Sequence, residues 1–270
     1  MVFESTEAAK EQPKAPEPVF NAADFQSSQP KPELKGVQVA ANGAPEGIGL
    51  TKTMYLDMGH CTSGEKNPFG VGGTDRGFNG PGYDECKVNT QLGLAVEKEA
   101  KERGLYVVKT WDPQNMPPAV PKQQDLDRRN ATVNRDVAKY CDDSIYVSIH
   151  HDSDKAGTSG QRAYFAATKP DSMKLVESMQ ATAWRKREGD IQPDTKTQNK
   201  LLQGLRGVNS VGVLLEVANV KNSYDAANMD TAAFRSNVAR RIVDGAINYF
   251  NLKEGKERPL SYCHRQKLGG

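Results

Sequence analysis

Short apolar runs alternate with longer amphipathic ones along most of this chain, and polar stretches divide them. The first run is TKTMYLDMGH, where Met54, Tyr55 and Leu56 lead into Asp57 and Gly59, predicting a strand that stops in a loop. Asp84 then caps a predicted helix through Glu102, with Val88, Leu92, Leu94, Ala95, Val96 and Ala100 on an approximate apolar face and Gly104 closing it. LYVVKT predicts a strand, WDPQNMPPAVP a proline-broken loop, and residues 123–139 a helix carrying Leu126, Ala131 and Val137. SIYVSI and QRAYFAA predict two more strands. Next come a helix over about 171–188 and a polar linker; SVGVLLEV is a buried strand, and TAAFRSNVARRIVDGAINYF is a closing amphipathic helix.

Strands alternating with helices predict an α/β fold, a single domain whose mainly parallel twisted sheet carries helices on both faces. In such sheets ligands bind at the carboxyl ends of the strands. Residues 1–47 hold six of the fifteen prolines and show no apolar period, so they read as a flexible leader. The domain is expected over 48–252, with a solvated tail over 253–270. NPFGVGGTDRGFNGPGYDE shows neither helical nor strand periodicity, and its glycines are expected to shape a groove rim.

Charge narrows the partners. The 36 Lys and Arg against 34 Asp and Glu, a net of +2, provide no concentrated basic face for nucleic acid. No run is apolar enough to span a membrane, and the start lacks the basic flank and apolar core of a signal peptide. The four cysteines, Cys61, Cys86, Cys141 and Cys263, form neither a C-x-x-C pair nor a zinc-finger spacing.

The chemistry-bearing residues fall at one kind of boundary. His60 closes the first strand, Glu85 opens the first helix, His150 closes SIYVSIH, and Glu216 lies near the end of VGVLLEVAN. A carboxylate in so apolar a strand is costly unless paired, protonated or near a metal. Two imidazoles and a carboxylate make a catalytic zinc set, and a further carboxylate is then available to move protons. The helical H-E-x-x-H arrangement is absent. A triad of Ser148, His150 and Asp57 stays open, although no G-x-S-x-G elbow supports it.

These motifs resemble the zinc-dependent N-acetylmuramoyl-L-alanine amidases of the type 3 class, found among bacterial cell-wall hydrolases and phage lysins. YLDMGH matches the family's Asp-x-Gly-His turn, Glu85 its helix-opening glutamate, and Leu126, Arg129 and Asn134 its Leu-x-x-Arg and following Asn. Ser148, Ile149 and His150 match its Ser-Ile-His strand end, while Leu214, Glu216 and Asn222 match its late Leu-x-Glu and Asn. The resemblance covers roughly 50–250 in the right order. It implies His60, Glu85 and His150 as zinc ligands and Glu216 as the catalytic acid/base. It also implies hydrolysis of the amide between N-acetylmuramic acid and L-alanine in peptidoglycan, a bacteriolytic activity exercised outside the cytoplasm by a monomer.

Two departures stand out. Cys61 takes the place of the family's usual second glycine, and His151 and Asp152 follow His150 where a small residue and Asn are usual. His151 is expected at the rim rather than as a fourth ligand, since neighbouring strand residues point apart. His264 is expected on the surface, Cys141 in the core, and Arg129 in a salt bridge that orients the loops. Cys61 and Cys86 each follow a proposed ligand, so one shared zinc would bring them within disulfide reach; two free thiols are the alternative. A metallopeptidase or deacylase cutting another amide, a noncatalytic wall-binding module and a Rossmann-like binder are the competing readings. GVGGTDRG does not follow a strand closely enough to serve the last.

Overall fold

The protein is described here by a computed structural model that covers residues 31–33, 52–62, 77, 79–80, 83–140, 144–194 and 203–253. Among the described residues, eight strands and six helices follow in chain order: β1 (Thr53–Met58), β2 (Asn79–Gly80), β3 (Tyr83–Asp84), α1 (Glu85–Glu102), β4 (Tyr106–Lys109), α2 (Lys122–Tyr140), β5 (Ser144–Asp152), β6 (Gln161–Ala166), α3 (Pro170–Ala181), β7 (Lys186–Asp194), α4 (Gln203–Gly207), β8 (Val211–Asn219), α5 (Ser223–Met229) and α6 (Ala232–Lys253).

Six strands form one sheet in the order β4-β1-β5-β8-β6-β7. The pairs β1–β4, β1–β5, β5–β8 and β6–β7 are parallel, and β6–β8 is antiparallel. The mainly parallel α/β fold expected from the alternation is therefore present. Period-two alternation in the central strands sorts the side chains onto two faces. Met54, Leu56, Ile145, Val147, Ile149, Val213, Leu215 and Val217 join one large core with α1, α3 and α6. Tyr55, Tyr146 and Leu214 point the other way and pack with Val133 of α2, Leu205 of α4 and Val208. Being covered on both sides is what lets β1 bury all six of its residues.

Helix α1 starts where Asp84 accepts a hydrogen bond from Lys87 N at 3.2 Å. It turns Val88, Leu92, Val96 and Ala100 inward at helical spacing, whereas Leu94, expected on that face, falls out of the stripe and is exposed. Burial of each large apolar side chain of this kind contributes about 1.5–3 kcal/mol. Gly104, at φ 83°, follows α1 and takes the left-handed conformation that glycine tolerates.

Several elements differ from the sequence expectation. The helix expected to reach about 188 ends at Ala181, and the expected polar linker contains β7, an edge strand. KREGDIQPD has no alternating apolar face, so β7 exists only through its pairing with β6, and an edge position accommodates its Pro193. The two-residue ribbon β2–β3 lies in the glycine-rich stretch for which no strand was expected. Of the leader, Lys31, Pro32 and Glu33 lie against the domain. Lys31 Nζ pairs with Glu99 Oε1 at 3.2 Å, Arg103 donates to the Pro32 carbonyl, and Asn251 Nδ2 donates to Glu33 O at 2.9 Å. The rest of the leader, most of the tail, His264, Cys141 and Cys263 lie outside the described residues. Among the described residues no helix is long and apolar enough to cross a membrane.

Candidate metal centre and catalytic carboxylate

The carboxyl ends of β1, β5 and β8 lie side by side, and the polar residues gather there. His60 stands just beyond β1. The turn that carries it is tied to β5 by Gly59 N donating to Ile149 O at 2.9 Å. A side chain at Gly59 would put its Cβ 2.2 Å from His150 Cε1, so only glycine lets that imidazole lie over the turn. His60 and Cys61 then adopt φ of 66° and 78°, a left-handed pair that costs about 1–2 kcal/mol per non-glycine residue. Cys61 thus occupies, at a cost, a conformation that suits glycine.

Glu85 enters from the first turn of α1, where the positive end of the helix favours an anion. Its Oε1 lies 3.3 Å from His60 Nε2 and 3.4 Å from His150 Nδ1. One donor atom from each residue falls within 4.8 Å of the others. Nitrogen and oxygen ligands tetrahedrally placed about 2.0–2.1 Å from zinc would stand roughly 3.3 Å apart, which the two distances to Glu85 match. The donor set therefore fits a zinc ion in its chemistry and in its separations from Glu85. Burial alone would raise the Glu85 carboxyl, but hydrogen bonds and charge from His150 and His60 hold it well below the usual range. Burial lowers His150 despite the opposing pull of Glu85, favouring the neutral, ligating imidazole.

Glu216 pairs in register with His150 across β5–β8 and with Arg162 across β6–β8. It therefore shares a face with the candidate ligand His150. The residue is half-buried, and its Oε2 is buried without a hydrogen-bond partner among the described residues. Burial first, and the nearby Glu85 and Asp152 carboxylates next, push its carboxyl well above the usual value. Beside it, Asp152 is paired with Arg187 at 2.6 Å.

A second buried group underpins the turn. Arg129 Nη1 donates to Asp57 Oδ1 and to Met58 O, each at 2.9 Å, and its Nε reaches Asp125 Oδ2 at 2.8 Å. Its Nη2 donates to the carbonyl of His60 and to Thr62. Arg129 is the loop-orienting, salt-bridged arginine that was expected. Leu126 lines the cleft beside the histidines. Asn134 lies farther off, bracing α2 against the α4–β8 connection through Gly207 O at 2.7 Å and Asn209 N at 2.6 Å. Asn222 caps α5 by accepting from Tyr224 N and Asp225 N.

His151 is not the rim residue expected. It is 3% exposed and turned toward α1, the side opposite His150, as strand alternation dictates. Its Nδ1 meets Asn89 Oδ1 at 2.7 Å, while Asn89 Nδ2 donates to Gly59 O at 3.1 Å, so Nδ1 carries the hydrogen. Its backbone N donates to Glu85 Oε1 at 3.3 Å. Burial lowers its pKa to about 4, leaving a neutral brace between the ligand-bearing turn and α1. The Ser148–His150–Asp57 triad is not formed, because Ser148 Oγ donates directly to Asp57 Oδ2 at 2.8 Å. Cys61 and Cys86 are joined in a disulfide with Cα atoms 5.1 Å apart.

Asn89 and Gly77 were missed in the sequence. Asn89 lies one helical turn after Glu85, on the same face, which was a usable signal. Gly77, at φ 68°, leaves room for the carboxylate: a Cβ there would stand 2.2 Å from Glu85 Oε2. Among the described residues of the glycine-rich stretch, that is the position where the requirement for glycine is visible.

A family model described as N-acetylmuramoyl-L-alanine amidase matches residues 54–248. The chain belongs to that family. It is 25% identical over 213 residues to the germination-specific N-acetylmuramoyl-L-alanine amidase of Bacillus subtilis strain 168, covering 75% of this chain and 81% of that one. It is 26% identical over 212 residues to the uncharacterized protein YqiI of the same strain, covering 74% and 85%. Among solved structures, the N-acetylmuramyl-L-alanine amidase Ami1 of Mycobacterium smegmatis superposes with a TM-score of 0.57 at 22% identity, over 74% of this chain and 97% of that one. The amidase therefore hydrolyses the amide between N-acetylmuramic acid and L-alanine in peptidoglycan.

Proposed function

We propose that the amidase holds one zinc ion between His60, Glu85 and His150 and uses Glu216 to move protons during amide hydrolysis. One observation carries this reading: three ligand atoms lie within 4.8 Å of one another, one strand away from a partner-poor carboxylate in register with His150. Zinc, when bound by two imidazoles and a carboxylate, supplies a Lewis acid for a carbonyl oxygen and lowers the pKa of water.

The remaining work falls to the chain's own residues. Arg129 and Asn89 hold the carbonyls of His60 and Gly59, so the first imidazole is fixed before substrate arrives. Glu216 Oε2, raised in basicity by burial and by Glu85 and Asp152, is suited to take a proton from the attacking water. The same oxygen then gives that proton to the departing alanine nitrogen, and Glu216 returns to its starting state. A noncatalytic wall-binding module would have no use for a buried carboxylate oxygen left without a partner. We further read the enzyme as a monomer working outside the cytoplasm, where a disulfide persists.

The test combines elemental analysis with digestion of purified peptidoglycan and mass measurement of the products. One zinc per chain is expected, with free stem peptides beginning at L-alanine. His60→Ala/His150→Ala should lose metal and turnover together, and stoichiometric zinc persisting in that variant would remove the ligand assignment. Products cut at another amide would favour the metallopeptidase or deacylase reading.

A further inference from the structure

We propose that the Cys61–Cys86 disulfide is a positioning element of the metal centre: it holds the left-handed His60–Cys61 turn against α1 and so keeps two ligands, His60 and Glu85, at coordinating distance. The inference rests on the zinc reading above and adds a covalent requirement to it.

Each cysteine directly follows a candidate ligand, so the crosslink joins the two ligand-bearing backbones one residue away from each ligand. Toward β5 and α2 the turn is held by noncovalent bonds, from Gly59 N to Ile149 O and from Arg129 to the His60 carbonyl. On its helix side, Asn89 reaches Gly59, before the ligand. Beyond the ligand, the disulfide joins the turn to α1. Cys61 is 1% exposed and packs with Met58, Trp111 and Cys86, so the clasp is built into the core.

The conformation says why a clasp is needed. His60 and Cys61 have φ of 66° and 78°, which residues other than glycine adopt only when their surroundings over-determine them. Without the crosslink, a non-glycine residue at position 61 drifts toward negative φ and carries the His60 imidazole away from Glu85. The bond also makes the centre sensitive to reduction. A dithiol reductant breaks the sulfur–sulfur bond, supplies two electrons and two protons to make two thiols, and leaves as its own cyclic disulfide.

The experiment measures the zinc dissociation constant by chelator competition, well below each variant's unfolding temperature and with the fold checked by circular dichroism. Groups that orient metal ligands change affinity by about 10–100-fold. Cys61→Ser/Cys86→Ser should therefore bind zinc about 10–100-fold more weakly while folded. Cys61→Gly/Cys86→Ser, which suits the left-handed turn, should recover part of that loss; a purely global stabilising role predicts neither change. If the double-serine variant does not fold, the wild-type chain reduced by a phosphine decides. A rise of two in its thiol count should weaken zinc by the same factor, and reoxidation should restore it. Zinc affinity within about twofold of the oxidised wild type, in either the folded serine variant or the reduced chain, overturns the clasp. Oxidised wild type that binds no zinc overturns the zinc reading itself.

Discussion

Asp57 and Glu216 are two carboxylates on the same face of one sheet, each set in an apolar strand near its carboxyl end. Their surroundings make them opposites. Asp57 accepts from Thr110 Oγ1 at 2.6 Å, Arg129 Nη1 at 2.9 Å, Ser148 Oγ at 2.8 Å and Tyr146 OH at 3.0 Å. Burial would raise its carboxyl, yet Arg129 and the hydroxyl donors bring it down to about 2. Glu216 has a buried Oε2 with no partner among the described residues and is pushed well above the ordinary value. Burial is common to both, so it is the neighbouring charges and the supply of donors that separate a permanent anion from a titrating group. Asp57 anchors Arg129, which holds the His60 turn. Glu216 is left able to change its protonation.

The comparison is broken most completely at Glu216. Glu216→Gln keeps the size and one accepting oxygen but cannot take up a proton. Turnover on peptidoglycan should fall about 10²–10⁴-fold, while zinc content and fold are retained. Near-parental release of stem peptides from folded, zinc-loaded Glu216→Gln would mean that the unpartnered oxygen has no catalytic use.

Replacing the other carboxylate should act on stability instead. In Asp57→Asn the Arg129 guanidinium keeps Asp125 but loses its central counter-charge inside the protein. Removing one partner of a buried ion pair costs about 3–5 kcal/mol, and the surviving Asp125 places the loss near the low end. Denaturant unfolding with and without bound metal reads it directly. A loss below about 1 kcal/mol would show that the hydroxyl donors, rather than Arg129, hold this end of β1.

The sequence placed Asp57 and Glu216 each near a strand end but showed the partners of neither, and that marks where its legibility stops. Strand and helix order could be read because β1, β5 and β8 are short apolar runs bounded by polar loops and apolar residues recur with helical period in α1 and α6. The gathering of His60, Glu85 and His150 could be read because each ends a strand or opens a helix, and motif resemblance put them in order. Partner supply could not be read: Thr110 and Arg129 reach Asp57 from 53 and 72 residues away. His151 was misplaced for a related reason. Alternation said that it points away from His150, but not that α1 would cover it and offer Asn89. Strand β7 was missed because its pairing partner, not its own pattern, makes it a strand.

The smallest expected effect sharpens the comparison through pH, in protein stripped of metal. A depressed carboxylate such as Asp57 contributes stability that is present above its unfolded value of 3.8 and is lost as pH falls through about 2. The stability gap between wild type and Asp57→Asn should therefore narrow as pH drops from about 4 toward 2. Glu216 has the opposite sign. Its folded pKa lies above the unfolded value of 4.5, so its neutral form is well accommodated at low pH and that contribution is lost as pH rises through the folded pKa. Glu216→Gln, which stays neutral throughout, should gain stability relative to wild type as pH rises from about 4.5. Denaturant midpoints measured across this range for the three proteins give both slopes. A Glu216→Gln gap that stays flat with pH would mean that the Glu216 carboxyl is solvated like a surface group, and the contrast with Asp57 would then rest on geometry alone.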